Sequence, residues 1–111
     1  MHTWSLITLD RFSLRLLGLM GKPAIDSGRV FHLVPCNAVH TFGMRFPLSV
    51  IFLDDQLRVL RMIEALVPCR VAWHWRARSV LELKAGTIPA SQAQDLVASL
   101  FTGSAPDRSQ C

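Results

Sequence analysis

Pro47-Leu48-Ser49-Val50-Ile51-Phe52-Leu53-Asp54-Asp55-Gln56-Leu57-Arg58-Val59-Leu60-Arg61-Met62-Ile63-Glu64 is the stretch on which the fold turns. Its first half is a continuous apolar run closed by Pro47 and Asp54, the pattern of a strand covered on both faces. Residues 57–64 instead alternate apolar with charged side chains, which gives Arg58, Arg61 and Glu64 routes to solvent. Asp54-Asp55-Gln56 make a tight connection, so the two halves are expected to form a hairpin. The turn has no glycine, and aspartate is the residue expected to tolerate a left-handed conformation there.

Working outward, residues 3–8, 30–34, 71–75 and 79–83 read as further strands, with Trp4 and Leu6 sharing a face of the first. Ser13 can cap a short helix over 13–20 on which Leu14, Leu17 and Met20 recur at helical spacing, with Gly21 and Pro23 as stop signals. Residues 84–87 read as a turn. Ser91-x-x-Gln94 has the form of a capping box, and Ala93, Leu96, Val97, Leu100 and Phe101 then mark one helical stripe. That stripe is expected to pack on the protein's own sheet. The expected fold class is α+β, mainly β: a small, strongly curved antiparallel or mixed sheet, or an open barrel, with two short peripheral helices. Residues 1–103 are expected to form one domain and 104–111 a flexible tail.

Composition narrows the function classes. The 111 residues are 50% hydrophobic and 18% charged, which excludes a disordered chain. No apolar run approaches the ~18–20 residues of a bilayer span, and Asp10, Arg11 and Arg15 interrupt any signal-peptide core, so a cytoplasmic location with no membrane partner is expected. Cys36, Cys69 and Cys111 are an odd, widely spaced set, which favours reduced thiols over a disulfide framework. The formal net charge of +4 is modest.

Cys36-Asn37-Ala38-Val39-His40-Thr41-Phe42-Gly43-Met44-Arg45-Phe46-Pro47, continuing through Asp54, resembles the central signature of the bacterial and archaeal family called domain of unknown function 192. Ala77-Arg78-Ser79-Val80-Leu81-Glu82-Leu83-Lys84-Ala85-Gly86-Thr87 resembles the family's second motif, and Leu17-Gly18-Leu19-Met20-Gly21 its N-terminal one. The resemblance implies a compact, mostly β domain with short helices and no established reaction. Three departures stand out: Ser49 occupies the position of the family's usual aspartate, Lys84 that of a common proline, and the hairpin lacks its usual glycine.

The leading candidate site is the 36–45 loop, where Cys36, His40, Thr41, Met44 and Arg45 would border a cleft with Arg61 and Arg78. His40 offers a titratable imidazole, although His40 and Thr41 can equally serve to hold an irregular loop. Cys36 and His40 admit a thiolate–imidazole reading, for which no third orienting acid is evident at Ser49. Cys36, His40, Cys69 and His74 could supply a Cys2His2 zinc site, though the spacing matches no familiar motif. The stretch with Arg70, Trp73, His74, Trp75, Arg76 and Arg78 interleaves aromatic and basic residues as single-stranded nucleic-acid binders do. Alternation places Trp73 and Trp75 on one face and His74 on the other, and both tryptophans are expected in or at the edge of the core. The expected function is a small non-catalytic binding or accessory module with no cofactor. Its expected partner is a protein or small anionic ligand rather than nucleic acid.

Overall fold

The computed structural model describes residues 4–9 and 28–101. Strands β1 (Ser5–Leu9), β2 (Arg29–Leu33), β3 (Ala38–His40), β4 (Leu48–Leu53), β5 (Val59–Leu66), β6 (Val71–Trp73) and β7 (Ser79–Lys84) precede a 3₁₀ turn at Ala90–Gln92 and helix α1 (Ala93–Phe101). The molecule is mostly β. Five strands form one mixed sheet in the order β1-β2-β7-β4-β5, in which β1 and β2 run parallel and the other neighbours antiparallel. β3 and β6 form a separate two-stranded ribbon.

The apolar run of β4 sits inside the sheet with all six side chains buried, as two-sided coverage requires. Pairing Val50 with Glu82 and Phe52 with Val80 puts these residues on one face together with Phe31 and Leu33 of β2. The ribbon closes that face through Val39 and Ala72, joined by Cys36, Phe46 and Ala77. Ile51, Leu53, Leu81, Leu83 and Val30 point the opposite way, onto Ala93, Leu96, Val97 and Leu100 of α1. Helix, sheet and ribbon thus make three layers around two apolar clusters.

Several expectations need correction. Of the two arrangements expected, the mixed sheet is the one that forms; it is open, with β1 and β5 as its edges, and does not close into a barrel. Among the described residues there is one α-helix; the helix expected over 13–20 and the tail over 104–111 lie outside them. The left-handed residue of the hairpin is Leu57, at φ 62°, and neither aspartate. Asp54 instead braces the turn: its carboxylate accepts from the backbone N–H groups of Gln56 and Arg58 at 2.9 Å each and from Arg58 Nε at 2.9 Å. The Arg58 backbone N–H is the chief influence holding that carboxyl below its ordinary pKa, against the opposing effect of burial. Leu57 packs its side chain against the α1-side cluster. That apolar contact of a half-buried leucine offsets part of the ~1–2 kcal/mol cost of a left-handed non-glycine residue.

The capping box does not form. Gln94 turns to the hairpin, where its Oε1 accepts from Val59 N at 2.9 Å and its Nε2 donates to Leu57 O at 3.2 Å. The 3₁₀ turn is capped from afar, by Glu64 of β5 accepting the Ala90 backbone N–H. The strand expected over 30–34 ends at Leu33, and its last four residues are all buried rather than alternating.

One of these buried residues is titratable. His32 lies between Thr8 of β1 and Leu81 of β7, edge-on to the Phe101 ring with centroids 4.9 Å apart. Burial pushes its pKa below the usual 6.5. The unfolded chain therefore takes up a proton as pH falls below about 6.5 while the folded chain does not, so stability is complete above that value and declines below it. The urea midpoint is expected to fall between pH 7 and pH 5. A His32→Leu variant with the same fall would show that other groups are responsible.

Candidate binding face

In the ribbon, Ala38 opposes Trp73, Val39 opposes Ala72 and His40 opposes Val71. Directly opposed residues share a face, so with Val39 and Ala72 turned into the core, Ala38, His40, Val71 and Trp73 form the outer surface. Trp73 is 64% exposed and Val71 52%. Phe42, 49% exposed, stacks on His40 with centroids 5.2 Å apart. Beyond β6, Trp75 stands on a turn at 78% exposure, with the Arg76 guanidinium 5.9 Å over its ring.

Buried threonine and two histidines shape the loops that carry these side chains. Thr41 is fully buried; its hydroxyl donates to Val67 O at 2.7 Å and accepts from Arg70 N at 2.9 Å. Its backbone N–H donates to Arg70 O, and its carbonyl accepts from Met44 N and Cys69 N. The 41–45 loop is thereby tied to the 67–70 turn, where Cys69 adopts a left-handed φ of 65°. His40 Nδ1 accepts from Phe42 N at 3.3 Å, and His74 Nδ1 accepts from Arg76 N at 3.1 Å. Each imidazole braces the turn two residues ahead of it.

The expected site residues divide accordingly. The structure brings His40, Trp73, Trp75 and Arg76 to the ribbon and its turn, and Arg61 of β5 reaches the Trp73 carbonyl with Nη1 at 3.5 Å. Arg70 is exposed beside them and donates to Cys69 O. Arg45 is exposed at the end of the loop, while Met44 packs half-buried against the ribbon-side cluster. Arg78 is exposed at the start of β7, and its backbone bridges Cys36 N to Leu53 O.

Cys36 is buried, with its thiol donating to Ala38 O at 3.1 Å, so it is not presented to a substrate as a nucleophile. The four-residue zinc set does not assemble: among the described residues no three His, Cys, Asp or Glu side chains could hold an ion. The ribbon explains why. Cys69 pairs with Thr41 at one end, whereas His74 donates its backbone N–H to Asn37 O at the other, near Cys36. Cys36 and Cys69 are not disulfide-bonded.

The tryptophans are the main correction. Neither is in the core, and β6 ends at Trp73, so Trp75 belongs to the following turn. His74 does point inward, toward Phe52 at 6.5 Å. Phe42 and Val71 were absent from the expected site, although an apolar residue between Thr41 and Gly43 in a loop was a usable signal. Residues 36–45 and 67–78, which build the ribbon and its loops, contain four arginines and no aspartate or glutamate. A groove lined by Trp4, Ile88, Gln92 and Leu96 lies on the α1 side of the sheet, opposite the ribbon.

Among solved structures, a protein of unknown function from Novosphingobium aromaticivorans is similar over 83% of this chain and 69% of its own, at 18% identity and a TM-score of 0.66. A putative transcription regulator from Sinorhizobium meliloti is similar over 76% of this chain and 70% of its own, at 20% identity and a TM-score of 0.64. At those identities the likeness concerns the fold alone. No curated protein matches the chain significantly. No helix among the described residues is long and apolar enough to cross a membrane. The model of DUF192, described as "Uncharacterized ACR", matches residues 2–95 and so takes in all three motifs, the hairpin and the ribbon; the chain belongs to this family.

Proposed function

We propose that the protein is a small non-catalytic binding module that recognises an anionic ligand or partner on the outer face of the β3–β6 ribbon. One observation carries this reading: Phe42, Trp73 and Trp75 stand exposed on an arginine-bearing surface whose segments hold no carboxylate. Exposed aromatic side chains grouped on one surface mark interaction sites, and unmixed positive charge selects an anion. The nearby groups with chemical potential are otherwise engaged, since Cys36 is buried and the Nδ1 atoms of His40 and His74 hold turns. We place the module in the cytoplasm, in keeping with the thiols of Cys36 and Cys69 standing outside any disulfide.

The test is an amide ¹H–¹⁵N titration with inorganic polyphosphate. Saturable shifts are expected at residues 40–45 and 70–78, weakening with added salt. An Arg70→Glu/Arg76→Glu variant, altered only at exposed positions, should abolish them while keeping its melting temperature. Shifts that never saturate, or that gather on α1, would remove the reading.

A further inference from the structure

We infer that the ribbon face binds single-stranded nucleic acid without sequence preference, an inference that rests on the binding-module reading. Two features distinguish this ligand from other anions. The first is the pair of indoles, Trp73 on the last residue of β6 and Trp75 two residues on, each mostly exposed. Every base has a π-face, so aromatic platforms bind bases irrespective of sequence, and a duplex hides those faces in its own stack. The second is the placing of cations against the platforms. Arg76 lies 5.9 Å over the Trp75 ring, and Arg61 donates to the backbone carbonyl of Trp73 at 3.5 Å, which puts one guanidinium over an indole and another on the strand end that carries the second. Arg70 follows at the other end of the same strand. Stacking surfaces with cations beside them match a chain in which bases and phosphates alternate.

An acidic protein segment would satisfy the arginines but suits the aromatics less well. Interface tryptophans that carry binding energy sit in well-packed, fully desolvated pockets. These two stand on a short two-stranded ribbon and on a turn, already turned to water. The net charge of +4 does not argue against the inference, because Arg70 and Arg76 lie in a segment, residues 67–78, that contains no carboxylate. The expectation that nucleic acid is not the partner rested on the modest net charge and on both tryptophans lying in or at the edge of the core, and the second ground does not hold, since Trp73 and Trp75 are exposed.

The experiment uses the full chain, a twelve-nucleotide oligothymidylate, an abasic twelve-mer of equal charge and a glutamate-rich peptide. Binding is read by tryptophan fluorescence and by anisotropy of the labelled oligomer. The oligothymidylate is expected to quench fluorescence saturably and to bind at least about tenfold tighter than the abasic strand. Its log K should fall with log salt at a slope of about −2, for three phosphates held by arginines. Trp73→Ser and Trp75→Ser should each weaken it at least about fivefold, with unchanged binding of the abasic strand. Equal affinity for the two oligomers, or tryptophan variants that bind as wild type, would overturn the nucleic-acid assignment and leave a general anion face. Saturation by the acidic peptide alone would overturn it in favour of a protein partner. Failure with both oligomers and with polyphosphate would remove the binding-module reading as well.

Discussion

Leu83→Ala is expected to lower the unfolding free energy by about 2–5 kcal/mol, as truncation of a fully enclosed leucine does. Leu83 is completely buried in β7, between Val30 of β2 and Ser49 of β4, with α1 packed over that face of the sheet. The loss combines the transfer free energy of the removed methyl groups with the cavity they leave. Relaxation into that cavity is limited, because β7 is flanked by strands on both sides and cannot shift without breaking two ladders. Val71→Ala, on the exposed outer face of the ribbon, is the matched contrast and should stay within about 0.5 kcal/mol of wild type. Urea unfolding of both variants decides the point. A loss below about 1 kcal/mol at Leu83 would mean that this side chain is not enclosed between the sheet and α1.

How much of this was legible in the sequence depends on element length. β4 announces itself because five apolar residues in a run of six, broken only by Ser49, have one economical placement, between two covered neighbours. The α1 stripe is legible for a similar reason: five apolar positions at helical spacing define a face. β3 was not legible, because three residues are too few to show a period of two, and its pairing with β6 is a contact across more than thirty residues. Sequence proximity also misleads at the caps. Gln94 lies three residues after Ser91, yet its amide is used by Val59 and Leu57, and the 3₁₀ turn takes its cap from Glu64. Local motifs lose to tertiary partners wherever the same donor can serve both.

The tryptophans show a different limit. Apolar character predicts burial only when there is enough covering layer, and among the described residues the ribbon is the outermost layer on its side of the sheet. Its inward face is filled by Val39 and Ala72, which leaves Trp73 facing out. Ser49 is instructive in the opposite sense. Where the family resemblance implies an acid, its fully buried hydroxyl donates to Glu64 O at 2.7 Å, at an irregularity in the β4–β5 ladder. An ionised carboxylate could not make that bond, so the departure at Ser49 fits the local hydrogen bonding.

Thr41→Val should cost about 2–4 kcal/mol even though it preserves shape. The hydroxyl it removes is the donor to Val67 O and the acceptor for Arg70 N, and an enclosed polar group left without a partner costs about 1–3 kcal/mol. Both bonds span more than twenty-five residues and join the 41–45 loop to the turn ahead of β6. Thr41→Ser keeps the hydroxyl and loses one methyl, so it should recover most of the stability, with a residual deficit of about 1 kcal/mol. The pair of variants separates hydrogen bonding from packing: a larger loss in serine than in valine would assign the role of Thr41 to its methyl group. Phe42 follows Thr41 directly and Trp73 lies on the strand that the 67–70 turn launches. The valine variant should therefore also broaden the amide signals of residues 40–45 and 67–73 below its melting temperature. Sharp, unshifted signals there would show that the ribbon and its aromatic face hold their geometry without this hydroxyl.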